Sequence, residues 1–189
     1  MTSEDQPMKA PMPENLSIEH RADGLTLSYR WFSGKFIFLA LFCLFWDGFL
    51  VFWYGIAFSQ DAPWIMLVFP LLHLSAGVFL TYYTIAGIYN RTIITVGQGK
   101  LSIQHGPLPW PGNRTLQGSE INQLYPEEVS TRGRNGPQTS YQLSAISNDN
   151  KKIKLLSGFD SPDSVRFIER QVEEWLGIRD KRVEGEMPK

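Results

Sequence analysis

The sequence predicts a membrane protein in which a hairpin of two transmembrane helices interrupts a mainly β domain that ends in an α-helix. Three observations carry this reading. Phe36 to Phe58 holds one charged residue in 23, and Trp64 to Tyr89 holds none in 26, with His73 its one histidine. Strand-like alternation punctuated by turn residues lies both before and after these runs. Near the C-terminus, apolar residues recur at helical spacing between Pro162 and Gly177. Averages over the 189 residues (43% hydrophobic, 20% charged, net charge −1) describe an ordinary soluble protein only because they hide this segregation.

Residues 1–15 are polar and proline-containing and read as a disordered tail. Residues 16–31 form the first hairpin of the β domain: Leu16 to His20, a turn at Ala22 to Gly24, then Leu25 to Trp31. The first apolar run, 36–58, follows 35 residues and an acidic start, so it is not read as a signal peptide. At ~1.5 Å per residue the two runs, 36–58 and 64–89, reach about 34 and 39 Å, enough to cross ~30 Å of hydrocarbon with some tilt. Trp31, Trp53, Tyr54, Trp64, Tyr83 and Tyr89 lie toward their ends, where amphipathic rings settle at an interface. A soluble chain of this size has too little other material to cover two such helices on every side. The link Ser59 to Pro63 is short enough for a tight hairpin, with Asp61 placed to cap the second helix and Pro63 in its first turn.

Arg30 and Lys35 precede the first span and Arg91 follows the second, while the connecting loop has no Lys or Arg. The positive-inside rule then places both termini in the cytoplasm. The tripeptides at Asn15, Asn90 and Asn113 match the glycosylation sequon but are idle in that compartment. The single cysteine, Cys43, allows no intramolecular disulfide.

Residues 90–178 supply the rest of the domain. Arg91 to Val96 and Leu101 to His105 read as strands around a turn at Gly97 to Lys100, and Ile121 to Val129 as a strand interrupted by Pro126. Arg132 to Pro137 is a turn cluster; Tyr141 to Ser147 and Lys152 to Leu155 alternate around Asn148 to Asn150. In the helix 162–177, Ser161 is the expected N-cap, Val165, Ile168, Val172, Trp175 and Leu176 form a core-facing stripe, and Gly177 ends it. Residues 179–189 are a charged tail. An isolated hairpin is marginal in water, so residues 16–31 need a sheet to join. A membrane hairpin returns the chain to the side it left, and residues 16–31 and 90–178 can then fold as one unit.

About seven strands followed by one amphipathic helix resembles the pleckstrin-homology (PH) sandwich or barrel. With the adjoining spans, the chain resembles the bacterial PH-like membrane proteins, mostly uncharacterised. The resemblance implies a bacterial cytoplasmic (inner) membrane protein with the domain on the cytoplasmic side. Lipid-binding PH domains carry a basic cluster in and after the first hairpin loop, whereas this hairpin offers only Arg21 and Arg30 around Asp23. The resemblance therefore brings no phosphoinositide site with it.

Asp47 is the most informative residue, because a carboxylate near the bilayer centre costs several kcal/mol unless it finds a partner, faces water or is neutral. Counted from the distal ends of the two spans, Asp47 and His73 lie at depths of ~16 and ~14 Å and are expected to form an intramembrane polar pair. Gly77 and Thr81 continue the His73 face and offer a helix-packing groove. The pair reads as a structural latch; the alternatives are pairing with another subunit, or proton relay, metal binding or catalysis. One Asp and one His are too few for a closed metal site, and no metal or cofactor is expected.

The stretch Gly106-Pro-Leu-Pro-Trp-Pro-Gly-Asn-Arg114 is held extended by three prolines, and Leu108, Trp110 and Arg114 are its candidate partner or interface residues. Folding back to cover the core is the alternative. Two turns are basic, Arg132 with Arg134 and Lys151 with Lys152 and Lys154, and are candidate contacts for anionic lipid. His20 and His105 read as ordinary surface histidines. The near-neutral charge argues against a nucleic-acid partner. No phosphate loop, nucleophile elbow or zinc-helix motif is present, so the expected role is binding without catalysis. The sequence thus points to a membrane-tethered interaction or assembly module, or an accessory subunit of a larger membrane complex. Its partners would be membrane lipids and another membrane protein or a second copy. The competing reading is recognition of anionic headgroups.

Overall fold

A computed structural model describes residues 13, 15–59, 63–133 and 136–178. Asp61, Arg134 and the tail 179–189 lie outside the described residues, as does most of the segment 1–15. Two compact units emerge, one built mainly from strands and one from apolar helices.

The β unit contains two sheets. Strands β1 (Leu16–Arg21), β2 (Gly24–Arg30), β3 (Arg91–Gly97), β4 (Lys100–Gly106) and β5 (Arg114–Gln117) lie side by side in that order. Strands β6 (Ile121–Gly133), β7 (Gly136–Ser147) and β8 (Lys152–Phe159) form the second sheet. The β2 and β3 strands are hydrogen-bonded neighbours although the whole helical insertion separates them in sequence. Their ends cross so closely that a Cβ on Gly24 would stand 2.5 Å from the Val96 carbonyl, and one on Gly97 2.7 Å from that of Asp23. Only a pair of glycines fits there.

Alternation sends Leu25, Leu27, Ile94, Val96, Leu101 and Ile103 of the first sheet into one core with Leu124, Leu143, Leu155 and Phe159 of the second. Helix α4 (Pro162–Leu176) closes that core with Val165, Ile168 and Val172. Its ends follow from local chemistry: the Ser161 hydroxyl accepts from the Asp163 amide at 3.2 Å, and Gly177 takes the left-handed φ of 67° that terminates the helix. Trp175 departs from the expected stripe and is 40% exposed. At ~100° per residue it lies about 60° round the helix from Val172, at the border of the buried face.

Two further differences have simple causes. Strand β5 adds four residues, Arg114 to Gln117, beside β4, too short and too polar for the sequence to show a period. Strand β6 runs through Pro126 without a break, opposite Leu143. It lies at the end of its sheet's strand order, where a proline costs no ladder bond on its open side.

On the face of the second sheet that carries Gln142 and Ser144, Glu127 is only 8% exposed. It accepts hydrogen bonds from Gln142 Nε2 (2.6 Å), Ser144 Oγ (2.8 Å) and Lys152 Nζ. Burial by itself pushes the carboxyl pKa up, but the bonds from Lys152, Gln142 and Ser144 outweigh it and hold the group below its ordinary 4.5. A carboxylate with a depressed folded pKa stabilises the fold above its unfolded pKa, and that contribution disappears as pH falls through the lower folded value. Chemical unfolding of Glu127→Ala should therefore show a loss of about 2 kcal/mol at neutral pH. The difference from wild type should shrink below pH 4.5.

Candidate functional site in the apolar hairpin

The helical unit contains α1 (Gly34–Ser59), α2 (Trp64–Val68) and α3 (Leu71–Tyr89). Two stretches, Gly34–Ser59 and Trp64–Tyr89, are long and apolar enough to cross a membrane. Large apolar side chains point outward along both, with Phe38, Phe45 and Leu72 each more than 70% exposed. Exposed apolar side chains in this number mark a surface that meets lipid or another protein.

The seam between the helices is narrow and regular. On α1 the buried residues are Phe36, Cys43, Leu50 and Ala57, each seven positions from the next, the spacing that holds one stripe against a partner helix. On α3 small residues receive them: Gly77, Thr84, Ala86 and Gly87 are buried. The Phe36 ring occupies the place of a Cβ on Gly87. Cys43 Sγ lies 3.5 Å from Thr84 Oγ1, whose hydroxyl is also bonded back to Leu80 O.

The second span is not one continuous helix. Pro70 separates α2 from α3, because proline lacks the N–H that would bond Met66 O and its ring disrupts the preceding turn. The bared carbonyls are met from α1. Trp53 Nε1 donates to Met66 O at 3.1 Å and Tyr54 Oη to Leu67 O at 3.2 Å. One turn away, Trp46 Nε1 donates to His73 O at 3.3 Å. Away from water each unmet carbonyl is expensive, so these aromatic donors hold the break in place.

Asp47 and His73 do not pair. Asp47 Oδ2 accepts from Thr81 Oγ1 at 2.7 Å, and Oδ1 lies where a Cβ on Gly77 would be 2.9 Å away. His73 is sandwiched between Trp46 and Phe69, both rings 5.8 Å from it, and its buried Nδ1 has no hydrogen-bond partner. The cause is the direction of helical side chains, which lean toward their own N-terminus. In an antiparallel pair, Asp47 leans toward the feet of the hairpin and His73 toward its tip, so residues level at Cα diverge. Thr81, two turns beyond His73, meets the carboxylate instead. The expected packing face at Gly77 and Thr81 thus has two separate jobs: Gly77 admits Asp47 to the seam, and Thr81 bonds it.

Asp47 and Thr81 open onto a groove of about 570 Å³ along one side of the hairpin. Val51, Leu74, Val78 and Ile85 form its walls, with Tyr54 toward the tip and Tyr82 toward the feet. The one carboxylate in the spans therefore sits half-buried in an apolar channel with a single hydroxyl as its bonded partner. Among the described residues no three His, Cys, Asp or Glu side chains converge as a metal site.

Asn90, which the sequence singles out only as an idle sequon, organises the feet. It is 2% exposed. Its N–H donates to Ala86 O and its carbonyl accepts from Trp31 N at 3.3 Å. Its side-chain amide clamps Leu108, donating to Leu108 O (3.1 Å) and accepting from Leu108 N (2.8 Å). Tyr82 Oη donates to Pro109 O. Leu108 is half-buried on the hairpin, whereas Trp110 is half-buried within the β unit. Arg114 Nε is buried without an acceptor. His105 is no bare surface histidine: its Nδ1 lies 3.0 Å from Thr92 Oγ1, and burial, then the Arg114 charge, lower its pKa.

The basic turns do not form one patch. Arg132 lies beside the β6–β7 turn and Lys151 at the β7–β8 turn, separated by the full length of β7, about 36 Å. Lys152 is engaged by Glu127 and stands over the Tyr125 ring, yet remains exposed, as Lys151 and Lys154 are.

The Pro70 break yields a direct test. Trp53→Phe in detergent micelles should lower unfolding stability by roughly 0.6–1 kcal/mol. In a Pro70→Ala background, where an N–H is restored for Met66 O, the same substitution should cost measurably less, a coupling that a double-mutant cycle reads out.

No family model and no curated protein matches the sequence.

Proposed function

We propose that this chain is a membrane-tethered interaction and assembly module: a two-span hairpin set into a PH-like domain that acts as an accessory subunit of a larger membrane complex and binds protein without catalysis. The observation that carries the proposal is Asp47, bonded by Thr81 and presented in an open apolar groove. A carboxylate has about four acceptor positions, and one hydroxyl meets only one of them. In hydrocarbon the remainder is costly unless a neighbouring helix brings a donor or a cation. The occupant that fits is a transmembrane helix of another subunit carrying such a group.

Several features support the architectural part. Five strands, three strands and a closing helix agree with a PH-like layout. A chain whose β2 and β3 share one sheet must come back from its hairpin to the side it left, and Arg30, Lys35 and Arg91 favour the cytoplasm for that side. The bacterial inner membrane is what the resemblance to bacterial PH-like membrane proteins implies. Lipid-headgroup recognition is the weaker alternative, because the basic turns are ~36 Å apart and Lys152 is held by Glu127.

Purification of the full chain in mild detergent tests the proposal. Wild type should carry companion membrane proteins. Asp47→Leu should reduce their recovery about tenfold, equivalent to ~1.4 kcal/mol, while the purified chain keeps its wild-type circular dichroism. A companion-free monomer, or companions retained equally by Asp47→Leu, would contradict it.

A further inference from the structure

We infer that residues 106–109 are a re-entrant wedge, immersed in the boundary between headgroups and acyl chains beside the feet of the hairpin. The inference rests on the reading that the hairpin spans a bilayer, and on where the backbone bonds of Leu108 and Pro109 go.

Irregular backbone tolerates membrane depth only where its polar groups are met by protein. In 107–109 the donors are few, since Pro107 and Pro109 have no N–H. The remaining donor, Leu108 N–H, goes to Asn90 Oδ1, and Leu108 O is taken by Asn90 Nδ2. Pro109 O is taken by the Tyr82 hydroxyl. The hairpin therefore supplies these partners from its own side chains, which an aqueous loop would find in water at no structural cost.

The same bonds set the depth. Asn90 ends α3, and Tyr82 lies eight residues, or about 12 Å, farther into the helix. A segment bonded to both lies level with the last two turns of the span. Tyr83 and Tyr89 occupy the same level, and aromatic rings of this kind concentrate at the membrane interface. The stretch from Gly106 to Asn113 has no charged residue, and Pro107 and Pro109 are exposed. The partner of this surface is the lipid of the leaflet at the hairpin's feet, met by prolines and Leu108.

Spin labelling of the full chain in phosphatidylcholine–phosphatidylglycerol vesicles tests it, in a Cys43→Ser background. Labels are placed singly through Leu108→Cys, Pro109→Cys, Phe45→Cys on the outward face of α1, and Gln98→Cys in the β3–β4 turn. The ratio of collisions with oxygen to collisions with a water-soluble nickel complex reports depth. At 108 and 109 it should be several-fold above the value at 98 and below that at 45. A lipid value at 45 with 108 and 109 both equal to 98 overturns the wedge alone. A water value at 45 overturns the spanning hairpin, and the wedge with it.

Discussion

The structure depends on one ladder, the pairing of β2 with β3 across the helical insertion. Every other strand pair in either sheet joins neighbours in sequence, closed by a turn or a short connection. The entropy of joining distant segments grows slowly, about 0.6 kcal/mol per doubling of loop length. Here the loop is itself ordered: packed helices bring its ends together where the Trp31 amide meets the Asn90 carbonyl at 3.3 Å. The hairpin thus lowers the cost of the very pairing that it interrupts. With β2 in place, Leu25 and Leu27 complete a core that β3–β8 and α4 could not close alone.

One pattern recurs in the polar chemistry of the hairpin. At two places where the backbone leaves regular structure, side chains of the hairpin take freed groups. Trp53 and Tyr54 do so at the Pro70 break, and Asn90 and Tyr82 do so along 108–109. Two side chains depart from this economy: a single threonine leaves most of the Asp47 accepting capacity unused, and His73 Nδ1 is enclosed between two rings without a partner. That contrast gives the carboxylate its meaning: the surrounding structure is economical with polar groups, and this one faces a groove.

Much of this was legible in the sequence, and the rest fails for physical reasons. Charge-free runs and period-two alternation are strong signals, so the helical stretches, most strands and the capped helix α4 can be read directly. Depth counting brought Asp47 and His73 level, but it treats side chains as radial. Their opposite lean in an antiparallel pair assigns the bond to Thr81. Pro70 was visible but lay inside an unbroken hydrophobic run, where composition outweighs backbone geometry. Asn90 carried a signal that could have found it, an amide at the foot of a span, masked by its resemblance to a sequon. Lys152 looked like a free surface cation because its partner Glu127 stands 25 residues away on a strand that is not its neighbour.

The strands before and after the hairpin in sequence form a single β unit. Amide hydrogen exchange of the full chain in lipid nanodiscs measures this most directly. If the account holds, amides of Leu25 and Leu27 open together with those of Ile94 and Ile103, with one free energy of opening shared by β2, β3 and β4. Rapid, unprotected exchange across residues 16–30 beside a protected 91–159 would contradict it.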